Sequence, residues 1–462
     1  MRLGYLHFFT LIIFHTFCFG QASVDKIIGK GTGNSIVQSG DSNLIICGDR
    51  DGRLLVSKID SSGNEIWTNL FGLTTGSSPN NSGYNLIKVE KNYLITGRYD
   101  PGIGAYNKAY AVMVNESGNL IWENNYGNNN SYSKYSCYDS LSKVIYITGS
   151  IKNSSFDIFL IKIDTSGNTI WENSYDFGSS EIGESISLLD PSNIFVAGNT
   201  TSGSANNMFN GFLLQIDSSG LMNLQKTFGG SQQDNIYDFK ILPDGGSLLV
   251  GSSNSYSVGN SDAWIVRLNA LGDTLWTTTV GGPFSEASYS LFIDDPSKIW
   301  ICGKTNLGAP YLDQGWLFEI DSAGILLNTI NFGGVKNESL YGLTILNRNI
   351  YSIGTSTVNL NDSIYFVRTD SLTLGLSSKA EINFTHSIFP NPTESFFYFK
   401  FGQPISLSSI NFSIYDWNGI EYECPVEKED QLIKIELPEL KGLYILSFRI
   451  SNINYTYKII KY

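Results

Sequence analysis

Four acidic residues stand 16 or 17 positions ahead of a glycine that closes an apolar run: Glu181, Asp234, Glu286 and Glu338, ahead of Gly198, Gly251, Gly303 and Gly354. Carboxylates ringing one face of a protein could hold a cation or a polyhydroxylated ligand, and a pair of them could serve as the acid and base of a glycosidase. The simpler reading is that each caps a turn by accepting backbone hydrogen bonds, because catalytic pairs are singular and these recur with a repeat. Tyr237, Tyr289 and Tyr341 follow three residues later. On a strand lining a channel they would either fill space between repeats, the simpler reading, or stack on sugars. The Asp-x-x-Gly-Asn segments at Asp60 and Asp164 look like calcium loops but lack a later bidentate Glu, so hairpin turns are favoured.

Histidine narrows the chemistry. The chain holds His7, His15 and His386, and the first two lie in a segment expected to be removed. A Ser-His-Asp or Cys-His site in the main body is thereby excluded, as is a histidine-rich zinc site. No catalytic residue, cofactor or metal ligand is assigned. A net charge of −13 argues against a nucleic-acid partner. Charged residues are only 16 % while aromatics reach 13 % and glycines number 46, a balance that suits β-structure and turns rather than disorder or helices.

Residues 1–20 carry Arg2 and then an apolar run, Leu6 to Phe19, which reads as a signal peptide. Cys18 and Gly20 put small residues three and one before a cut at Gln21, whereas a lipoprotein signal would need a small residue where Phe17 stands. No later stretch approaches the length of a transmembrane helix, so none is expected in the mature chain. Cys47, Cys137, Cys302 and Cys424 remain after cleavage; they read as small buried hydrophobes rather than a disulfide framework.

The elements that would position these residues form a repeat. Apolar runs end in glycine at Gly48, Gly97, Gly149, Gly198, Gly251, Gly303 and Gly354, 49 to 53 residues apart. About 12 residues after each, a second run closes on Asp or Asn, as at Asp60, Asn115 and Asp217, with a glycine three positions on in the first six copies. Asp or Asn opening a turn with Gly at a positive-φ position marks a hairpin. The next strand carries Trp67, Trp122, Trp171 or Trp276 at one register, which predicts core packing, and Trp264, Trp300 and Trp316 are core by default. Four strands in about 50 residues, seven times over, match the blades of a β-propeller. A solenoid of hairpins would need capping units. Here the last repeat lacks its fourth strand and Val24–Gly29 resembles it, so the N-terminal strand is expected to complete the last blade.

Residues 229–282 carry the pattern most fully: Gly229-Gly230-Ser231, Asp234, Asp244-Gly245-Gly246, Gly251 and Asp262-Ala263-Trp264-Ile265-Val266-Arg267-Leu268-Asn269. The region 22–376 resembles the Gly- and Trp-rich propeller repeats of secreted bacterial surface proteins, a resemblance that implies architecture and no particular activity.

Beyond a polar linker at 377–385, residues 386–462 show period-two strands parted by turn residues, the pattern of a small Ig-like antiparallel β-sandwich. Pro390-Asn391-Pro392, then Asp416-Trp417-Asn418-Gly419, then Lys441-Gly442-Leu443-Tyr444, and a basic ending with Lys458 and Lys461 occur in order. This segment closely resembles the type A C-terminal sorting domain of the type IX secretion system of Bacteroidota. The resemblance implies a route by signal peptide, cut at Gly20/Gln21 on the reading above, to the periplasm, passage through the outer membrane by the type IX secretion machinery, removal of the sorting domain, and a final place outside the cell or on its surface.

The expected organisation is a signal peptide (1–20), a seven-bladed β-propeller (21–376), a linker and a sorting domain (386–462), all-β throughout. The expected function is non-enzymatic binding of a glycan or protein, with Glu181, Asp234, Glu286 and Glu338 as the candidate ligand face. The competing expectation is a secreted carbohydrate-active enzyme working through a carboxylate pair.

Overall fold

The computed structural model describes residues 24–72, 80–102, 105–128, 130–203, 207–295, 298–306, 312–334, 336–358 and 361–370, and in the C-terminal segment 386–389, 395–401, 412–416, 421–429, 432–450 and 453–461. The expected signal peptide and the Gly20/Gln21 cut lie outside the described residues, as do Pro390, Asn391, Pro392 and Gly419.

Seven four-stranded antiparallel sheets follow one another along the chain. The first holds Thr32–Gln38, Leu44–Arg50, Arg53–Ile59 and Glu65–Phe71, and in each of the first six sheets the strands pair in chain order. In the seventh, the strands Asn337–Leu346, Asn349–Val358 and Asn361–Asp370 are joined at the outer edge by Val24–Lys30 from the chain's beginning. Val24 pairs with Arg368 and Ile27 with Tyr365, and the Tyr365 hydroxyl donates to Asp25. Ring closure at the axis is equally direct: the Gln38 amide of the first blade donates to the Ile345 carbonyl of the seventh. This is a seven-bladed β-propeller.

The core lies between blades, because each sheet is apolar on both faces. One cluster joins Ile36, Ile46 and Leu55 of the first blade to Ile353, Ile364 and Phe366 of the seventh. Another packs Val250 and Ile265 against Ile301, Trp316 and Phe318. Trp264, Trp300 and Trp316 are fully buried, as expected.

Trp67, Trp122, Trp171 and Trp276 each pack against an inter-blade core cluster, as expected. They are half-buried, because the outermost strand has a neighbour on one side only. Their rings lie over the hairpin turn of the next blade: the Trp122 indole N–H donates to Thr165 O at 3.0 Å, and Trp171 donates to Ser218 O at 3.1 Å. A Cβ on the turn glycine Gly167, which has a φ of 85°, would come within 3.0 Å of the Trp122 ring. The turn carboxylates are already occupied. Asp164 accepts from Ser166 N at 2.8 Å and from the backbone and side-chain amide of Asn168, each at 2.9 Å. Those bonds from Asn168 hold its carboxyl below the usual range. Asp60 makes the same three bonds to Ser62 and Asn64. Among the described residues Cys47, Cys137, Cys302 and Cys424 are free, and burial pushes the thiols of Cys47, Cys137 and Cys302 up.

The C-terminal segment forms two four-stranded sheets, one of His386–Phe389, Phe396–Phe401, Leu432–Glu436 and Val426–Glu429, the other of Glu421–Tyr422, Phe412–Asp416, Gly442–Ile450 and Ile453–Lys461. Tyr444 is buried and its hydroxyl donates to Leu440 O at 2.7 Å. Lys461 is buried too, with its ammonium on the Pro438 carbonyl at 2.5 Å. Asp416 accepts from the Tyr422 hydroxyl at 3.4 Å. Gly442 pairs with Lys461, and Lys458 pairs with Ile445.

Candidate functional site

The repeat glycines explain how side chains reach the propeller axis. In every blade the repeat glycine lies inside the second strand and pairs with a residue of the innermost strand, and the register then slips by one. A Cβ on Gly251 would sit 1.8 Å from Asn235 O, and one on Gly48 would sit 2.0 Å from Thr32 O. Only glycine lets that carbonyl in. The slip is a β-bulge, which leaves one residue out of the ladder and re-aims its side chain.

The seven bulge residues run round the axis. Asn34 and Tyr84 come from the first two blades, Lys134 and Glu184 from the third and fourth, and Tyr237, Tyr289 and Tyr341 from the last three. All seven are partly exposed and line one axial cavity of about 440 Å3. The three tyrosines form an arc, with ring centroids 5.3 Å apart between Tyr237 and Tyr289 and 5.1 Å between Tyr289 and Tyr341. Burial pushes their phenols up, Tyr289 most strongly. Opposite charges meet at the boundary of the third and fourth blades, where Lys134 Nζ lies 3.3 Å from Glu184 Oε2. The Lys134 ammonium also sits 5.4 Å from the centre of the Tyr84 ring. Asn34 donates its amide to Gly83 O at 2.8 Å, tying the first blade to the second.

One step further along the strands the cavity wall is fastened shut. Asp238 is buried and accepts from Ser185 Oγ, Ser290 Oγ, Phe239 N and Leu291 N, and from Lys240 Nζ at 3.2 Å. It therefore joins three blades. Lys240 completes the group by donating to the Tyr135 hydroxyl at 3.1 Å.

The four carboxylates singled out in the sequence lie elsewhere. Glu181, Asp234 and Glu286 are fully buried and Glu338 is 4 % exposed, each beneath its own blade's loops, three residues before the bulge. Their oxygens hold those loops. Glu181 accepts from Thr200 Oγ1 at 2.9 Å and Phe177 N at 3.3 Å. Asp234 accepts from Gly230 N at 2.6 Å and Ser255 Oγ at 2.7 Å. Glu286 accepts from Gly282 N at 2.8 Å, and Glu338 from Ser356 Oγ at 3.0 Å. The structure does not bring the four together, and burial pushes the carboxyls of Glu181 and Glu338 up. Carboxylate oxygens of Asp157, Asp176 and Glu181 do lie within 4.8 Å of one another. That group is a loop anchor as well: Asp157 accepts from Ser155, and Asp176 accepts from Gly178 N.

Of the axial ring, the sequence pointed to Tyr237, Tyr289 and Tyr341 and missed Asn34, Tyr84, Lys134 and Glu184. A signal was present, since each bulge residue stands 13 to 15 positions ahead of its blade glycine.

Residues 387–462 match the family described as the secretion system C-terminal sorting domain. No curated protein matches the chain. Among solved structures the chain is similar to the WD40 domain of Neurospora crassa Pan2, at 11 % identity over 73 % of this chain and 89 % of that one, with a TM-score of 0.47. It is similar to the polysaccharide lyase Uly1 at 10 % identity, over 76 % and 99 % of the two chains, with a TM-score of 0.44. A mutant of Trypanosoma rangeli sialidase displaying trans-sialidase activity is 9 % identical over 84 % and 85 %, with a TM-score of 0.41. Identities this low say nothing about a shared ligand.

Proposed function

Given that residues 387–462 are a C-terminal sorting domain of the type IX secretion system, which sends its chain to the cell surface or the exterior, we propose that the propeller it carries is a binding module for a glycan. The axial cavity supports this reading. Its size falls within the roughly 300–1,000 Å3 of small-ligand sites, and an aromatic arc with a few convergent polar groups suits a ligand that is apolar on its ring faces and polar at its rim.

The same cavity speaks against the enzyme reading. A carboxylate-pair glycosidase needs one acid free to give a proton and a second free to attack or to activate water. The two acids lining this cavity are both engaged, Glu184 by Lys134 and Asp238 by five donor groups. The test is to present the exported full chain to a glycan array and to incubate it with the polysaccharides it retains. Saturable binding without new reducing ends is expected; new reducing ends would overturn the reading in favour of a glycosidase.

A further inference from the structure

We propose that the ring of bulge side chains is the binding site itself and that it takes the end of a neutral oligosaccharide, an inference that rests on the binding-module reading above. The ring differs from the blade glycines and the hairpin turns. The glycine recurs in all seven blades and the Asp or Asn turn with its glycine in the first six, because each solves the same local problem. The bulge positions share one backbone geometry and carry Asn, Tyr, Lys, Glu and three further Tyr. A position that only filled space would not need an ammonium and a carboxylate facing each other on the axis, where partial desolvation costs free energy.

The arrangement has two halves. Tyr237, Tyr289 and Tyr341 offer successive ring faces and edges along one side, a surface suited to the C–H face of a pyranose. Lys134 and Glu184 stand in the remaining part of the ring with side chains 31 % and 11 % exposed, so both stay within reach of a ligand. Side by side at 3.3 Å, a donor and an acceptor can bond neighbouring hydroxyls of one sugar, each with charge-assisted strength. The neutral class follows from the charges at the ring itself, where Lys134 is balanced by Glu184 and, one step along the strands, Lys240 by Asp238. The third lysine of the cavity, Lys88, is exposed near the end of its strand, four positions past the bulge residue Tyr84.

The experiment is calorimetric titration of the full chain with cellohexaose, maltohexaose, mannohexaose and xylohexaose, and with an oligogalacturonate as the anionic probe. It is repeated with Glu184→Gln, Tyr289→Leu and Tyr289→Phe, and thermal unfolding of each variant is recorded. Saturable binding of at least one neutral hexasaccharide is expected. Glu184→Gln and Tyr289→Leu should each weaken it about tenfold, while Tyr289→Phe, which keeps the ring, stays near wild type. If Tyr289→Leu does not fold, the near-isosteric Glu184→Gln carries the test. Undiminished binding in the variants would overturn the ring as the site and leave the binding-module reading standing. Binding of the oligogalacturonate alone would overturn the neutral class. Loss of all saccharide binding by the wild-type chain would overturn both this inference and the reading it rests on.

Discussion

Lys134 and Glu184 belong to different blades and meet on the propeller axis, with Nζ and Oε2 3.3 Å apart. The carboxylate beside it holds the Lys134 ammonium above its ordinary pKa, outweighing the burial that acts the other way. A raised lysine stabilises the fold fully below the unfolded-state value of about 10.4 and loses that contribution as pH climbs through the folded value. Glu184→Gln should therefore lower stability by about 1–2 kcal/mol at pH 7 to 9, a figure reduced for the exposed part of the pair. The deficit should shrink at higher pH. Calorimetric melting temperatures across pH check this, and a deficit that grows above pH 11 would contradict it.

Gly251→Ala should be among the most damaging small changes in the chain. Its Cβ would sit 1.8 Å from Asn235 O, so the bulge that turns Tyr237 to the axis must flatten or the strand pair must part. A loss of about 3 kcal/mol or more is expected in denaturant unfolding. A loss under about 1 kcal/mol would show that the bulge tolerates a side chain.

At the hairpin of the third blade, Gly167→Ala meets three obstacles, a φ of 85°, the Asn124 side-chain amide at 2.6 Å and the Trp122 ring at 3.0 Å. The expected cost is about 1–3 kcal/mol. Trp122→Ala should make the same glycine substitution cheaper, and a double-mutant cycle showing no coupling would remove the ring from the explanation.

Asp234→Ala should loosen one loop and spare the axial ring. The carboxylate accepts from Gly230 N, Ser253 Oγ and Ser255, and leaving those donors without it costs about 1–3 kcal/mol. Amide exchange should rise at residues 229–233 and 254–257 while exchange on the strand 234–241 changes little. Equal acceleration across the whole blade would mean the carboxylate holds more than its loop.

Removing residues 386–462 should keep the chain inside the cell envelope, read by fractionation and immunoblotting, because that segment is the sorting domain. A truncated chain found in the medium would contradict the route.

What the sequence made legible was whatever one local problem repeats. Glycine within the second strand and Asp or Asn with Gly at the hairpin recur because a carbonyl contact and a left-handed turn admit few residues, so the blade count could be read directly. The missing strand of the seventh repeat could be matched to Val24–Gly29 because both ends of the count were visible. The ring was harder. A bulge adds one unpaired residue without any residue type of its own, so period-two reading assigns the next strand positions to the wrong face. Tyr237, Tyr289 and Tyr341 stood out because they agree with one another, whereas Lys134 and Glu184 are informative because they do not.

Asp25 and Tyr365 are partners 340 positions apart in the chain. Until the seventh blade exists, the first strand has nothing to pair with, and until that strand arrives Asn361–Asp370 presents an open row of backbone donors and acceptors. The propeller is thus closed by a clasp whose two halves are the first and the last of its strands to be made. Its topology imposes a long loop closure and a slow final step, and during that wait the unfinished ring is most exposed to pairing with a second copy of itself.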